Sequence, residues 1–199
     1  MTRFVLIRHA LTDHVGKYLS GRTPGIPLNS EGKKQASELA KRLSGAGLTA
    51  LYCSPLERAV ETADRISTET RIPLNVSHEF IEVDFGNWTG AVIEDLRKDP
   101  LFTRFNTFRS CTRIPGGELI SEAQTRIVRG IEKLKEKHPG GTVAIVSHAD
   151  LIKAAVAFYA GIHIDLMNRI EISPASVTIM NSYDESLKII LLNSVTGAI

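Results

Sequence analysis

This 199-residue sequence has few cysteines, a small net charge and no long apolar run. Its two cysteines, Cys53 and Cys111, are too few for a disulfide scaffold, which indicates a reducing, cytoplasmic environment. A net charge of +2 gives no general attraction to nucleic acid or to an anionic membrane. No apolar run is long enough to span a bilayer, and the first residues do not form a secretory leader. We therefore expect a compact soluble protein that binds neither nucleic acid nor membrane.

Apolar residues make up 43% of the chain, which is enough for a substantial core, and we expect a single domain over residues 1–199. Short apolar runs at 4–7, 50–53 and 142–146 alternate with segments that have helical spacing. This alternation predicts an α/β fold in three layers, α/β/α, with helices on both faces of a mostly parallel central sheet.

Two further regions complete the predicted architecture. Residues 91–114 are mixed apolar and basic, and we expect them to form a helical cap or insertion. We expect their arginines, Arg109 among them, to lie on a solvated face; the alternative is a lid over an anionic substrate. Later in the chain, 177–180 and 187–192 are typical of two closing strands around a turn at 183–186. The sequence does not indicate an oligomeric state.

Three of the apolar runs end in residues that can do chemistry. The first ends at Arg8 and His9, the second is followed by Arg58, and the third ends at His148. In open α/β sheets, ligands bind beyond the carboxyl ends of the strands. If the strands are parallel and adjacent, these four side chains therefore converge on one edge of the sheet.

An imidazole beside fixed positive charge suits phosphoryl transfer. A neutral, oriented imidazole can attack phosphorus directly and hold the phosphoryl group covalently. Guanidinium groups match the geometry of the phosphate oxygens, and Arg8, Arg58 and Arg22 are the candidates. The reaction also needs an acid to protonate the leaving alkoxide, for which the residues alone leave Glu82 and Asp84 open.

Four segments of the chain resemble, in the same order, the motifs of the histidine phosphatase superfamily, which is also called phosphoglycerate mutase-like. Arg8-His9 resembles its Arg-His-Gly motif, and His148 lies in a match to its last histidine motif. Residues 54–59 resemble the second motif, and residues 82–90 resemble the segment of the general acid. In addition to these four, residues 115–118 match a common helix start of the family. The resemblance covers residues 3 to about 158.

The resemblance implies a role for each matched residue. His9 corresponds to the nucleophile that becomes phosphorylated, and Arg8, Arg58 and His148 correspond to the phosphate pocket. Glu82 matches the family's proton donor, which decides between the two carboxylates. The resemblance implies neither a metal ion nor a cofactor.

The loop after the first strand carries further candidates and several departures from the family pattern. Arg22 and Thr23 lie where family members contact substrate, so we expect them to contact it here. Asp150 stands where the family has a neutral polar residue, and we expect it to pair with Lys153 or to contact a substrate hydroxyl. The departures in the first motif are Ala10 for glycine, Leu11 for a frequent acidic residue and Val15 for a frequent asparagine.

The sequence thus predicts a phosphoric monoester hydrolase that acts through phosphohistidine on a small phosphorylated metabolite and releases inorganic phosphate. One alternative is a 2,3-bisphosphoglycerate-dependent phosphoglycerate mutase, although residues 91–114 are shorter than the basic insertion of the family's mutases. A second alternative is a non-catalytic phospho-ligand binder, which would not require both His9 and Glu82. Which phosphomonoester is the substrate does not follow from the residues.

Overall fold

A single mixed sheet with helices on both faces organises the molecule, in a computed structural model that describes residues 1–183, 186–197 and 199. The six strands lie in the order β3-β2-β4-β1-β5-β6. The strands are β1 Thr2–Arg8, β2 Ala50–Cys53, β3 Leu74–Val76, β4 Thr142–Ser147, β5 Val177–Tyr183 and β6 Ser186–Ser194. The predicted turn between the last two strands lies partly outside the described residues.

Four of the strands are parallel, and β5 and β6 run antiparallel to their neighbours. The side chains of β1 alternate between the two faces: Phe4 and Leu6 join one core cluster, and Val5 and Ile7 join the other. A strand buried on both faces needs a continuous apolar run, which is what the sequence has there. The predicted α/β class, with a mostly parallel sheet, is confirmed.

Six helices accompany the sheet in the described part of the chain. They are α1 Ser30–Leu43, α2 Glu57–Thr70, α3 Ile93–Leu96, α4 Pro100–Thr107, α5 Ile120–Lys137 and α6 Ala149–Tyr159. Helices α1 and α2 pack on one face of the sheet, and α5 and α6 pack on the other. Three 3-10 turns add to these, at His78–Phe80, Gly86–Trp88 and Ile164–Arg169.

Local chemistry explains where α1 begins, and the start of α6 fixes a residue of the predicted site. The side chain of Asn29 accepts a hydrogen bond from the amide of Gly32 at 2.8 Å, which satisfies a free donor at the start of α1. Helix α6 begins directly after His148, so no loop separates that residue from either β4 or α6. His148 is therefore fixed from both sides.

The stretch from 91 to 114 holds the two shortest helices, α3 and α4. Phe105 of α4 lies with its ring centroid 5.3 Å from that of Trp88, and it is fully buried. The stretch therefore packs against the 3-10 turn that follows Glu82. Among the described residues, no helix is both long and apolar enough to cross a membrane.

Candidate active site

The carboxyl ends of three neighbouring parallel strands meet at one edge of the sheet, as the sequence predicts. Arg8 lies beside Ser147 in the β1–β4 register, and the amide of His9 donates to the Ser147 carbonyl at 2.9 Å. The amide of Ser54, after β2, donates to the carbonyl of Val146 at 2.9 Å. These main-chain bonds place His9 and the start of α2 on either side of the end of β4.

A cavity of about 220 Å³ opens at this edge. Four of the residues predicted for the site line it: Arg8, His9, Arg58 and Glu82. The fifth, His148, is fully buried beside it, with its ring centroid 5.2 Å from that of His9.

His9 is buried, oriented and neutral. Its Nδ1 lies 2.8 Å from the carbonyl oxygen of Ala10, and because a carbonyl only accepts, Nδ1 carries the proton. The Nε2 lone pair is therefore free to attack. Burial, together with the charges of Arg58 and Arg8, lowers the pKa of His9 well below its ordinary value, so the ring is uncharged near neutral pH and carries only the Nδ1 proton.

Two guanidinium groups supply positive charge around His9. Arg58 is 2% exposed; its Nη2 donates to the carbonyl of Gly21 at 2.7 Å, and its Nη1 has no hydrogen-bond partner among the described residues. Arg8 donates through Nη1 to the carbonyl of Ile172 at 2.6 Å. A buried guanidinium with an unsatisfied N–H is costly unless an anion binds there. The pair therefore fits a phosphoryl group.

His148 offers a neutral polar group at the same place. Its Nε2 lies 2.7 Å from Ser54 Oγ, and its Nδ1 has no hydrogen-bond partner in the described part of the chain. Burial, Arg58 and His9 lower the pKa of His148 well below its ordinary value. Ser54 Oγ also accepts from the amide of Leu56 at 3.3 Å, and in the tautomer in which its hydroxyl donates to Nε2 the ring proton lies on Nδ1.

Glu82 is the acid that faces this cavity. Its Oε2 lies 4.0 Å from His148 Nδ1, and its Oε1 accepts from the amide of Val83 at 2.8 Å. Burial, with the nearby charge of Asp150, raises the pKa of Glu82 to about 7, against the opposing effects of the Val83 amide and of the two cavity arginines. A carboxyl group with such a pKa can both give and take a proton near neutral pH.

Asp84, the other carboxylate that the sequence leaves open, is occupied elsewhere. One oxygen accepts from the amide of Gly86 at 3.0 Å, and the other pairs with Arg22 at 3.3 Å. Asp84 does not line the cavity, whereas Glu82 does. The geometry supports the choice of Glu82 that the family resemblance implied.

The two residues predicted as additional substrate contacts lie outside the cavity lining. Arg22 uses its guanidinium within the protein: it donates to the carbonyl of Glu82 at 2.9 Å and pairs with Asp84 and Glu118. The amide of Thr23 closes a turn onto the carbonyl of Ser20 at 2.9 Å. A substrate contact by Arg22 or Thr23 stays a prediction for which this arrangement supplies no geometric basis.

Asp150 lines the cavity and is paired. Its nearest cation is Arg109 at 3.2 Å, while the expected partner Lys153 lies at 3.9 Å. Burial alone would raise the pKa of Asp150, but Arg109 and Lys153 lower it, so the carboxylate stays ionised. The expectation of a solvated Arg109 is wrong: it is 5% exposed, and its guanidinium carbon lies 4.6 Å from the ring centroid of Phe105.

Comparison with known proteins gives the family. A model of the histidine phosphatase superfamily (branch 1) matches residues 4–195, and the chain belongs to that superfamily. Phosphoserine phosphatase 1 of Hydrogenobacter thermophilus is 29% identical over 97% of this chain and 92% of that protein. The adenosylcobalamin/alpha-ribazole phosphatase of Escherichia coli is 29% identical over 83% and 82%.

The fold agrees with the family. The solved structure of YhfR from Bacillus stearothermophilus superposes with a TM-score of 0.92 at 26% identity, covering 98% of both chains. With relatives named for phosphatase activity over nearly its whole length, this chain is an enzyme, a phosphatase of the histidine phosphatase type that acts on small phosphorylated substrates. The alternative of a non-catalytic binder is therefore set aside.

Proposed function

We propose that His9 is the nucleophile of this phosphatase, and that Glu82 is its general acid and base. One observation carries the proposal: a buried, neutral imidazole with a free Nε2 shares a cavity with two arginines and with a carboxyl group whose pKa is about 7. The imidazole, the cations and the acid together are the three components that transfer of a phosphoryl group to histidine requires.

In the first half-reaction, His9 Nε2 attacks phosphorus in line with the ester oxygen. The N–P bond forms as the P–O bond breaks, and the proton of Glu82 moves to the departing alkoxide. Arg8 and the free Nη1 of Arg58 hold the equatorial oxygens, and His148 Nδ1–H donates to one of them. The alcohol leaves, and Glu82 is now ionised.

In the second half-reaction, water takes the place of the alcohol. The Glu82 carboxylate accepts a proton from that water while the water oxygen attacks phosphorus and the N–P bond breaks. Inorganic phosphate is released, His9 is neutral again and Glu82 is protonated again. The same carboxyl group serves both steps because its pKa lies close to neutral pH.

The charges in the cavity favour hydrolysis over the mutase reaction. A mutase must also hold the carboxylate and the second phosphate of a bisphosphorylated intermediate, which requires additional cations. Among the described residues that line the cavity, the only cations are Arg8 and Arg58, and Asp150 adds a negative charge. The volume of about 220 Å³ also favours a small substrate, because drug-sized ligands occupy roughly 300 Å³ or more.

The remaining predicted features belong to the same proposal. Ile93 of α3 lines the cavity, which supports residues 91–114 as a cap on a single domain spanning residues 1–199. Cys53 and Cys111 are both free thiols, which supports a reducing, cytoplasmic location. The partners are then a small phosphomonoester and its product, inorganic phosphate.

The experiment is turnover of a panel of phosphomonoesters in the presence of a chelator. The panel contains phosphoserine, α-ribazole phosphate, p-nitrophenyl phosphate, and 3-phosphoglycerate with and without 2,3-bisphosphoglycerate. We expect phosphate release and an acid-labile phosphoenzyme that can be trapped by rapid quenching, both absent in His9→Ala. The control is His163→Ala, since that histidine is largely exposed and away from the cavity.

Two results would overturn the proposal. Turnover in His9→Ala at the wild-type rate would remove the nucleophile assignment. Bisphosphate-dependent isomerisation of 3-phosphoglycerate that outpaces hydrolysis of every ester in the panel would identify a mutase instead.

A further inference from the structure

Glu82, the proposed general acid, lies in a segment with little regular secondary structure. A 3-10 turn, His78–Phe80, precedes Glu82, and another, Gly86–Trp88, follows it, but no strand or helix contains it. Main-chain carbonyls in such a stretch need partners from elsewhere when they are buried. The carbonyls of Glu79, Ile81 and Glu82 find theirs in two arginines that are distant in sequence.

Each arginine holds a different part of the stretch. Arg126, on α5, donates through Nη1 to the carbonyl of Ile81 at 2.6 Å and to that of Glu79 at 3.2 Å. Arg22 donates through Nε to the carbonyl of Glu82 itself at 2.9 Å. The backbone on both sides of the acid's Cα is therefore fixed by guanidinium groups.

One carboxylate joins the two arginines. Oε1 of Glu118 accepts from Arg126 Nη2 at 2.8 Å, from Arg22 Nη2 at 3.2 Å and from the amide of Asp84 at 2.9 Å. The three side chains are 17–32% exposed, so these charge-assisted bonds are partly shielded from solvent. We refer to Arg22, Glu118 and Arg126 as the Glu118 clamp.

Main chain packs against main chain beneath the clamp. A Cβ on Gly117 would collide with the carbonyl oxygen of Asp84, and a Cβ on Gly86 would collide with that of Pro115. The amide of Glu118 also donates to the carbonyl of Asp84 at 3.1 Å. With no side chain between the two segments, a displacement of residue 118 passes directly to the segment that carries Glu82.

None of the three clamp residues lines the cavity, and Glu82 does. We propose that Glu118 is a positioning residue for the acid step: it orients Arg22 and Arg126, and through them holds the Glu82 carboxyl group towards the leaving oxygen. This inference rests on the proposed role of Glu82. All three guanidinium nitrogens of Arg22 donate within the protein, to Glu82, Asp84 and Glu118.

The test compares substrates that differ in their need for a proton. Alkyl esters such as phosphoserine require protonation of the leaving oxygen, whereas p-nitrophenyl phosphate hardly requires it. For Glu118→Ala we expect kcat/KM on phosphoserine to fall by about 10²-fold, the effect of a misplacement of about 1 Å. On p-nitrophenyl phosphate we expect a change within about threefold, and an unchanged inhibition constant for inorganic phosphate, because the cations around His9 are untouched.

A conservative variant and a matched control complete the design. Glu118→Gln keeps the shape and one carbonyl oxygen, so it should fold and lose less on phosphoserine than Glu118→Ala, about tenfold. The control is Glu122→Gln, four residues further along the chain, whose carboxylate pairs with Arg113 at the surface; we expect it to leave both substrates unaffected.

The outcomes separate this inference from the proposed function. Equal losses on both esters in the Glu118 variants, or weaker binding of phosphate, would show that the clamp only supports the fold. Wild-type kinetics in both Glu118 variants would show that it has no role in positioning. If Glu82→Gln fails to discriminate between the two esters, the assignment of the acid fails instead.

Discussion

The two sides of the cavity are held in place by different kinds of interaction. On the phosphate side, Arg8, His9 and His148 stand at the ends of β1 and β4, where the sheet's own hydrogen bonds fix the backbone. On the acid side, Glu82 lies in neither a helix nor a strand, and its position depends on side chains from distant parts of the sequence. The phosphate side is thus positioned by secondary structure, and the acid side by charge pairs. Substitutions on the two sides should therefore have different kinetic effects.

The largest effect expected within this comparison comes from the acid. Glu82→Gln cannot supply a proton, so kcat on alkyl phosphates should fall by about 10²–10⁴-fold, the usual contribution of general acid catalysis. On p-nitrophenyl phosphate the loss should be below about tenfold in the phosphorylation step, which rapid-quench measurement of the burst isolates. A comparable loss of the burst rate with both esters would mean that Glu82 does not act by protonating the leaving oxygen.

Next in size is the loss of a guanidinium on the phosphate side. Arg58→Lys keeps a positive charge but loses the planar fork, in which one nitrogen donates to the Gly21 carbonyl and the other is left for the phosphate. We expect kcat/KM to fall by about 10²–10³-fold, the effect of removing one donor to a developing charge. In contrast to the acid variants, the fall should be equal for alkyl and aryl esters, because both share the same phosphoryl group.

A smaller effect should follow from Asp150→Asn, and it should appear in the pH profile. A neighbouring negative charge favours the protonated form of Glu82; removing it, and freeing Arg109, lowers the pKa of Glu82 from about 7. The protonated acid is then lost at lower pH, so the alkaline limb of kcat/KM for phosphoserine should move towards acid. A limb that stays in place, or moves towards alkaline pH, would contradict the coupling between the two carboxylates.

The smallest effect on activity is expected from Thr62→Val, on the phosphate side. The hydroxyl of Thr62 accepts from the amide of Ala10 at 3.0 Å and donates to the carbonyl of Arg58 at 2.7 Å. Removing it leaves a buried amide unpaired, which should lower the free energy of unfolding by about 1–3 kcal/mol in urea denaturation. Activity should change by less than about threefold, equally for both esters, because the β1–β4 bonds still hold His9. A loss of activity on phosphoserine alone would contradict the prediction that the phosphate side affects both esters equally.

The same comparison explains what the sequence could and could not predict. His9 and His148 each follow directly on a buried apolar run, so a local pattern and the rule for parallel sheets suffice to bring them together. Arg22 and Arg109 carry no such signal, because their partners lie far away in the chain. Both arginines were expected at the substrate or in solvent, and both are engaged within the protein.

The choice between Glu82 and Asp84 was only partly predictable: the sequence narrows the acid to these two residues but does not choose between them. Two carboxylates two residues apart in a turn-rich stretch look alike in sequence, and only the family resemblance distinguished them. In the structure they differ because Asp84 is engaged by Arg22 and by the amide of Gly86, while Glu82 faces the cavity. The Gly86 contact is local, but the Arg22 contact and the direction of the Glu82 side chain are set by tertiary packing, and no local pattern encodes them.

The position of β1 has a consequence for how activity is acquired. Arg3 lies beside Thr142 on one side and Asn181 on the other, so the strand that precedes His9 pairs only with segments from much later in the chain. Such non-local pairing must close long loops and slows folding. During synthesis, a chain that already contains His9, Arg58 and Glu82 still has no β4 against which to form the phosphate pocket. We therefore expect turnover to appear during refolding only once β4 has paired with β1.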